Sequence, residues 1–346
     1  MRGADRRGQS MKVLVGTASW SDKSLVASKK FYPKGVTDPE SRLRFYATQF
    51  PLVEVDTSYY AIPLAQTARN WADRTPAHFT MNMKAFRLFT GHATSPKVLP
   101  PDLRAELPPL AKANFYFKDV PQALRDALWQ RFKEALEPLR SAGKLGMVHF
   151  QFAPWILRNR AGHAHVAHCV EMMSEYTVSV EFRHRTWFDD AHLGQTLAFE
   201  RELNVVHTVI DGPQGFHNSV PPVWESTHID YALVRMHGRN HETWNIKGAS
   251  VASERFDYDY PDAELGDIAA RVERLAPETF TTHVVMNNNN EDQGQRNAAT
   301  LMRILARRRE TRVPKLVARD TATAAGAALA PGELAEQSEW VTDAVE

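Results

Sequence analysis

At residues 231–240 the chain reads YALVRMHGRN, an apolar strand that ends in Arg235, His237, Arg239 and Asn240. The same change from hydrophobic residues to a polar tip recurs at the ends of other apolar runs along the sequence. Side chains alternate between the two faces of a strand, so residues two apart share a face. A recurring polar tip on apolar strands is typical of a barrel whose strand ends converge on one mouth.

Eight such runs alternate with segments of helical period, which predicts an α/β fold, a (β/α)8 TIM-type barrel with long insertions after strands three, six and seven. We expect strands at residues 12–17, 52–57, 79–84, 146–152, 178–182, 205–210, 231–236 and 280–286. Helices are expected after Thr37-Asp38-Pro39-Glu40 and near residues 65–74, 121–141, 164–174, 189–203, 262–275 and 295–309. The connection at 211–228, rich in Pro and Gly, is expected to be a loop.

The barrel is expected to occupy residues 12–317. Residues 1–11 are predicted to be a flexible N-terminus, and residues 318–346, rich in Ala, Gly, Thr and Glu, a disordered tail. No glycine fingerprint of the dinucleotide-binding or P-loop kind follows the first strand. Its absence from the sequence disfavours a doubly wound sheet.

The 42 basic and 41 acidic residues give a formal charge of +1, so no global positive field would collect nucleic acid. Cys169 is the single cysteine, which excludes an intramolecular disulfide, and its apolar helical surroundings predict a buried small hydrophobe. The chain start lacks the apolar segment of a secretory signal, and no run approaches the ~18 apolar residues of a membrane span. We therefore expect a cytoplasmic protein that does not bind membranes. The composition leaves the oligomeric state open.

Polar side chains are expected on the inward faces of seven strands, near their carboxyl ends. By the alternation rule they are Glu54, Asp56, Asn82, Lys84, His149, Gln151, Glu181, Arg183, His207, Asp211, Arg235, His237, His283 and Asn287. Charges removed from water must be paired. These groups could therefore satisfy one another as a buried salt network. They could instead form an active-site mouth, the interpretation that this fold favours.

Aromatic residues are concentrated in the loops that follow the predicted strands. They are Trp20, Tyr59, Tyr60, Phe86, Trp155, Trp187, Trp224 and Trp244. Each one could simply pack its loop onto the barrel, whereas together they could form flat walls for a sugar, a base or another ring.

Several short motifs resemble those of a known family. They are GTASW at 16–20, FYP at 31–33, VEVDTSYY at 53–60, KAFR at 84–87, VEFRH at 180–184 with Trp187 after it, MHGR at 236–239, Asn287-Asn288 and Arg296-Asn297-Ala298. As an ordered set over residues 12 to 308, they resemble the YecE-like family, known only as a domain of unknown function, number seventy-two in its series. The resemblance implies a TIM-type barrel and supplies no agreed reaction.

The favoured hypothesis is a metal-independent and cofactor-independent site for a small anionic ligand that carries a ring and a phosphate or carboxylate group. The expected ligand-binding residues are Trp20, Tyr59, Arg183, Trp187, Arg235, Arg239, Asn287, Asn288 and Asn297. Asp56, Lys84, Glu181 and His237 are the candidate catalytic residues, with the carboxylates as acid or base and His237 as proton shuttle. Such chemistry would suit a hydrolase or a lyase, and the sequence does not decide whether the protein is an enzyme.

Two other functions stay open at this point. A metal-dependent hydrolase could use His149, Glu181, His207, Asp211, His237 and His283 as ligands, but Arg183 and Arg235 on the same face would repel a metal ion. Nucleic-acid binding is the second choice, because loop aromatics interleaved with Arg could stack bases and hold phosphates. The near-neutral charge opposes strong nonspecific affinity for nucleic acid.

Overall fold

A computed structural model describes residues 12–109, 112–216, 219–245 and 252–312. The predicted flexible N-terminus at 1–11 and the predicted disordered tail at 318–346 lie outside the described residues.

Eight parallel strands pair in chain order and close into one barrel, which confirms the predicted fold class. The strands are β1 (Lys12–Ala18), β2 (Leu52–Val55), β3 (Thr80–Lys84), β4 (Leu145–Gln151), β5 (Val178–Glu181), β6 (Val206–Asp211), β7 (Tyr231–Met236) and β8 (Thr281–Met286). The pairing of β8 with β1, from Lys12 opposite Thr281 to Thr17 opposite Met286, closes the barrel. Because the strands are parallel, their carboxyl ends meet at one mouth.

Helices cover the outside of the barrel. In the described part of the chain they are α1 (Lys23–Ser28), α2 (Pro39–Gln49), α3 (Thr57–Tyr60), α4 (Ala65–Asp73), α5 (Pro101–Ala105), α6 (Gln122–Ser141), α7 (Arg160–Met172), α8 (Leu193–Glu202), α9 (Asp262–Leu275) and α10 (Gln293–Arg312). The sequence did not predict α1, α3 and α5, which have 6, 4 and 5 residues. Segments this short do not show a helical period.

The side chain of Asp38 determines where α2 begins. The carboxylate of Asp38 accepts the N–H groups of Glu40 and Ser41, both at 2.9 Å, and Pro39 occupies the first turn of α2. These contacts satisfy N–H groups that lack a partner within the helix, and proline is tolerated there because it has no N–H. The start signal in the sequence was therefore correct.

The connection from β6 to β7 contains no helix within residues 212–216 and 219–230. The loop predicted for this region is confirmed, but the barrel lacks a strictly repeating set of strand–helix units. Thr227 attaches the loop to β6, because its hydroxyl accepts the His207 N–H at 2.8 Å and donates to Val205 O at 2.7 Å. The insertions that follow β3 and β7, at residues 85–121 and 237–261, are also present.

Buried apolar side chains form two clusters. The larger one fills the space between strands and helices, and it includes Cys169, which is fully buried as predicted. The smaller one fills the inside of the barrel with Leu14, Ala18, Leu52, Met147, Val206, Leu233 and Val285. None of the helices in the described ranges combines the length and apolar character needed to cross a membrane.

The inward face of β6 differs from the prediction. Val206 belongs to the cluster inside the barrel, so His207 and Asp211 lie on the opposite face, toward the helices. His207 Nδ1 lies 3.0 Å from Glu200 of α8, and its Nε2 lies 3.2 Å from Val223 O. The expectation that His207 and Asp211 point into the barrel is therefore wrong. The prediction failed because a continuous apolar run does not show which of its two alternating faces meets the helices.

Candidate functional site

One guanidinium group is enclosed within the barrel, between the carboxylates of two strands. Arg235 of β7 donates to Glu54 from Nε at 3.0 Å and from Nη2 at 2.6 Å, and to Glu181 from Nη1 at 2.5 Å. Gln151 and Asn287 accept the remaining two N–H groups at 3.3 and 3.4 Å. None of the three charged side chains is exposed. We name Glu54, Glu181 and Arg235 the interior cluster.

Arg235 and Glu181 are held in their charged forms. Burial opposes the charged form of Arg235, but the carboxylates of Glu181 and Glu54 outweigh burial and raise its pKa. Burial likewise favours neutral Glu181, but Arg235 and the hydrogen bonds of the neighbouring imidazoles together outweigh burial and hold the pKa of Glu181 well below its ordinary value. An arginine has five N–H donors, and here all five have protein acceptors. The expected direct contact of Arg235 with a ligand therefore does not fit the structure.

His237, the expected proton shuttle, is buried beside Glu181. Its Nδ1 lies 2.8 Å from Nδ2 of Asn287, and its Nε2 lies 3.4 Å from both Glu181 Oε1 and Arg183 Nη1. Burial lowers the pKa of His237 to about 4, although Glu181 acts in the opposite direction. The ring is therefore neutral at neutral pH, and both of its nitrogens contact protein groups.

A second ion pair lies at the mouth and is partly exposed. Lys84 Nζ, at the end of β3, lies 2.7 Å from Asp56 Oδ1, and the two side chains are 9% and 22% exposed. Asp56 precedes α3, but its carboxylate makes no hydrogen bond to that helix and can turn toward Lys84. Burial would raise the pKa of Asp56, but the charge and hydrogen bond of Lys84, together with the more distant charge of Arg235, outweigh this effect, and the pKa is lowered. Asp56 is therefore ionised at neutral pH.

The loops after β2 and β3 are tied together and bring cations to one aromatic ring. Ser58 donates to Lys84 O at 2.6 Å, and the Arg87 N–H donates to Tyr59 O at 3.0 Å. Lys84 Nζ and Arg87 Cζ lie 4.8 and 5.4 Å from the centroid of the Tyr59 ring. Both distances are within the range of cation–π attraction.

Positive charge accumulates around His92, in the loop after β3. Burial lowers the pKa of His92, and the positive charges of Arg87, Lys84 and Arg183 lower it further, to about 3. Arg183 reaches this region from the end of β5, with its Cζ 5.2 Å from the centroid of the Trp244 ring. We name Lys84, Arg87 and Arg183 the rim cluster.

Arg87 is the rim cation that makes no ion pair with a described residue, whereas Lys84 is paired with Asp56 and Arg183 with Glu181. Its Nε is buried and has no hydrogen-bond partner within the described ranges. No role was predicted for Arg87, because it lies three residues beyond a strand end, where alternation no longer assigns a face. The signal that could have indicated a role for Arg87 was its place in the KAFR motif, three residues after Lys84.

Two aromatic residues expected at the ligand pack the outside of the barrel instead. Trp187 is fully buried, stacks on Phe182 with 3.9 Å between ring centroids, and donates from Nε1 to Ile156 O at 2.9 Å. Trp20 is 6% exposed and meets Trp71 of α4 edge-on at 5.7 Å. Both positions are corrections to the expected ligand contacts: these rings pack loops onto the barrel.

Three polar residues expected at the ligand stabilise the connection from β7 to α9. Asn288 Nδ2 donates to Asn297 Oδ1 at 2.6 Å, and Asn297 Nδ2 donates to Asp259 at 2.9 Å. Arg239 donates to both carboxylate oxygens of Asp211, from Nε at 2.9 Å and from Nη2 at 2.6 Å. These contacts use the Nδ2 group of Asn288, both amide atoms of Asn297 and the guanidinium of Arg239 within the protein.

The structure thus brings one subset of the expected residues together at the mouth and just beneath it. They are Asp56, Tyr59, Lys84, Glu181, Arg183, Arg235, His237 and Asn287. The described residues contain no group of three or more His, Cys, Asp and Glu side chains arranged to hold a metal ion.

The closed barrel and its charged mouth define a TIM-type barrel protein with a candidate site at the carboxyl ends of the strands. The sequence matches the family described as protein of unknown function DUF72 over residues 14–321. The chain therefore belongs to the DUF72 family, which confirms the YecE-like resemblance.

Similar proteins are found in several bacteria. The UPF0759 protein YunF of Bacillus subtilis (strain 168) is 30% identical over 295 residues, which are 85% of this chain and 94% of that protein. The crystal structure of a DUF72 family protein from Enterococcus faecalis V583 superposes with a TM-score of 0.69 at 23% identity, covering 85% of this chain and 95% of the other. One from Thermotoga maritima MSB8 superposes with a TM-score of 0.65 at 25% identity, covering 85% and 99%. The family description assigns no activity, so function has to be argued from the site.

Proposed function

We propose that the mouth of the barrel binds a small anion with a ring, one that carries a phosphate or carboxylate group, through the rim cluster. The proposal rests on Arg87, the rim cation without an ion pair among the described residues. Guanidinium and ammonium groups form strong charge-assisted hydrogen bonds with carboxylate and phosphate. A bound anion would supply Arg87 with the counter-charge that Asp56 and Glu181 give to the other two rim cations.

Aromatic surfaces at the mouth support a ring in the ligand. Tyr59 lies beneath Lys84 and Arg87, and the neighbouring rings of Tyr60 and Trp155 are 44% and 51% exposed. Aromatic faces offer a large apolar area with a preferred stacking geometry, so they favour a flat group in the ligand over a flexible chain.

Asp56 and Lys84 are the pair that we propose for metal-independent acid/base chemistry at this site. Asp56 is ionised and partly exposed, so it can accept a proton from a bound ligand, and Lys84 at 2.7 Å can stabilise negative charge. Glu181 and His237, the other two candidates, would act indirectly by positioning Arg183 and Asn287. A hydrolase or a lyase reaction would fit this pair.

Calorimetric titration with inorganic phosphate and with phenyl phosphate, at low ionic strength, tests the proposal. We expect both anions to bind the unmodified protein, and Arg87→Gln to weaken their affinity about tenfold or more, the usual weight of a charge-assisted hydrogen bond. The matched control is Arg303→Gln, which removes an exposed arginine of α10 and should leave both affinities unchanged. Equal affinities in the two variants, or no binding by the unmodified protein, would refute the proposal.

Nucleic-acid binding is the second candidate, and the exposed rings of Tyr60 and Trp155 beside the rim cations are the observation that favours it. A single-stranded oligonucleotide should be titrated beside phenyl phosphate. If the oligonucleotide binds more tightly, with an affinity that falls steeply as salt rises, the small-ligand proposal is replaced by this one.

A further inference from the structure

A cavity of about 410 Å³ lies next to the mouth, between the insertion after β3 and the loop after β4. Its lining includes Gly91, Tyr116, Phe117, Lys118, Trp155 and Ile156. This volume is in the range of pockets that enclose small molecules, and the walls are mainly aromatic and aliphatic, as such pockets require.

The cavity is a built feature of the fold, because backbone contacts hold its walls. Trp155 Nε1 donates to Gly91 O at 2.9 Å, which fixes the orientation of the half-exposed indole. Gly91 has a φ of 82°, and a Cβ atom at this position would lie 2.9 Å from Cδ1 of Ile156. A glycine is therefore needed here both for the backbone conformation and for the close approach of Ile156.

A row of rings connects this cavity with the rim cluster. Tyr59, over which the rim cations lie, meets His92 edge-on at 5.3 Å, and His92 meets Trp155 at 5.7 Å. On its other side Trp155 meets Tyr116 at 6.3 Å. One imidazole, that of His92, therefore lies between Tyr59 at the anion site and Trp155 in the cavity wall, so a single ligand of modest length could contact both.

The charges at the cavity favour a ligand that is negative or neutral. Lys118 at its edge is exposed and makes no ion pair with a described residue. His165, which also lines the cavity, has its pKa lowered by burial, so its imidazole is neutral at neutral pH. Among the described residues no carboxylate lines the cavity, so a cationic ligand would have no ion-pair partner there.

We infer that the ligand is an aromatic anion, an aryl phosphate or aryl carboxylate, whose ring system enters this cavity while its acidic group contacts the rim cluster. The inference rests on the proposed anion site, and it narrows the ligand from any ring-bearing anion to one with an unsaturated, flat ring system. A sugar phosphate would place hydroxyl groups against the aromatic walls. Hydroxyl groups gain less from contact with aromatic rings than a flat, unsaturated ring does.

Isothermal titration of the full chain with four probes tests this inference: inorganic phosphate, 2-naphthyl phosphate, 2-naphthoate and 2-naphthol. We expect 2-naphthyl phosphate to bind about tenfold more tightly than inorganic phosphate, because it adds aromatic contacts. Tyr116→Ala should remove most of that gain and leave inorganic phosphate unaffected. Tyr176→Ala, which removes a partly exposed ring that follows α7 and does not line the cavity, should change neither affinity.

The outcomes separate this inference from the proposed function. If 2-naphthyl phosphate binds no more tightly than inorganic phosphate, or if Tyr116→Ala behaves like Tyr176→Ala, the cavity assignment is overturned and the anion site stands. If no anion binds, both are overturned. Preference for 2-naphthoate or for 2-naphthyl phosphate identifies the acidic group, and binding of 2-naphthol that depends on Tyr116 supports the ring site by itself.

Discussion

The interior cluster and the rim cluster use the same kinds of side chain in two different environments. In the interior, one guanidinium meets two carboxylates, and none of the three side chains is exposed. At the rim, Lys84 and Arg183 each have one carboxylate partner, the Asp56 carboxylate is 22% exposed, and Arg87 has none among the described residues. The N–H donors of Arg235 in the interior all have protein acceptors and cannot bind a ligand. At the rim, the Nε–H group of Arg87 has no acceptor among the described residues and could bind one.

Burial decides the role of each cluster. A buried ion pair gives little net stability compared with a well-packed apolar core, but removal of one partner leaves an uncompensated charge that is strongly unfavourable. A partly exposed cation keeps its hydration and can exchange it for an anionic ligand. The difference in burial predicts different results when the two arginines are removed. Loss of the Arg235 side chain should lower the stability of the protein, and loss of the Arg87 side chain should weaken anion binding.

The largest effect is expected for Arg235→Ala, which leaves Glu54 buried without a cation and Glu181 with Arg183 alone. We expect the free energy of unfolding to fall by about 3–5 kcal/mol, measured by urea denaturation. Arg87→Ala should change it by less than about 1 kcal/mol. Addition of Glu54→Gln to Arg235→Ala should recover part of the loss, because the unpaired carboxylate is replaced by a neutral amide. Similar stabilities of Arg235→Ala and Arg87→Ala would contradict the assignment of the interior cluster.

Acidic pH should lower the free energy of unfolding, because the buried imidazoles of His237 and His283 are held neutral in the folded protein. The pKa of His237 is lowered to about 4 and that of His283 to about 3, both by burial first, while an unfolded histidine titrates near pH 6.5. Protonation therefore favours the unfolded chain, so stability is complete above about pH 6.5 and falls as the pH drops toward these values. At pH 4.5 we expect a loss of about 2 kcal/mol for each of these two groups relative to pH 7.

Urea denaturation at several pH values measures this effect. His283→Asn should reduce the slope of stability against pH between 6.5 and 4.5, whatever its effect at pH 7. His241→Asn removes an exposed imidazole and is the matched control. An unchanged slope in His283→Asn would show that its imidazole is not held neutral by the fold.

A smaller difference in stability is expected between substitutions of two tryptophans that make the same kind of hydrogen bond. Trp187 donates to Ile156 O and Trp155 to Gly91 O, both at 2.9 Å, but Trp187 is fully buried and Trp155 is 51% exposed. Trp187→Phe leaves a buried carbonyl and a small void, so we expect a loss of about 1–2 kcal/mol. Trp155→Phe should lose less than about 0.5 kcal/mol, since water replaces the donor. Thermal and urea unfolding would measure both, and equal losses would contradict the difference in burial.

Most of the fold could be predicted from the sequence because strands and long helices leave periodic patterns. The strand β7 and the helix α9 were predicted with their observed bounds, Tyr231–Met236 and Asp262–Leu275. The face of β6 was not predictable, since Val206 and His207 are adjacent in a continuously buried strand and the sequence does not show which of them faces inward.

The candidate site was predicted only in part, because its geometry depends on contacts between distant strands. Alternation placed Lys84, Glu181 and Arg235 on inward faces. It could not show that the carboxylates of Glu54 and Glu181 both form ion pairs with the guanidinium of Arg235. Arg87 was missed because it lies in a loop, where position follows from hydrogen bonds to other loops and not from a period.

The helix-free connection between β6 and β7 also has an evolutionary consequence. Its described residues, 212–216 and 219–230, begin at the mouth and return along the barrel without a packed helix. An insertion or deletion here disturbs no helix–strand interface, and the entropy of closing a longer loop increases only slowly with length. Relatives of this chain are therefore expected to differ in length at this connection more than elsewhere, and so to acquire new walls for the mouth while the barrel is conserved.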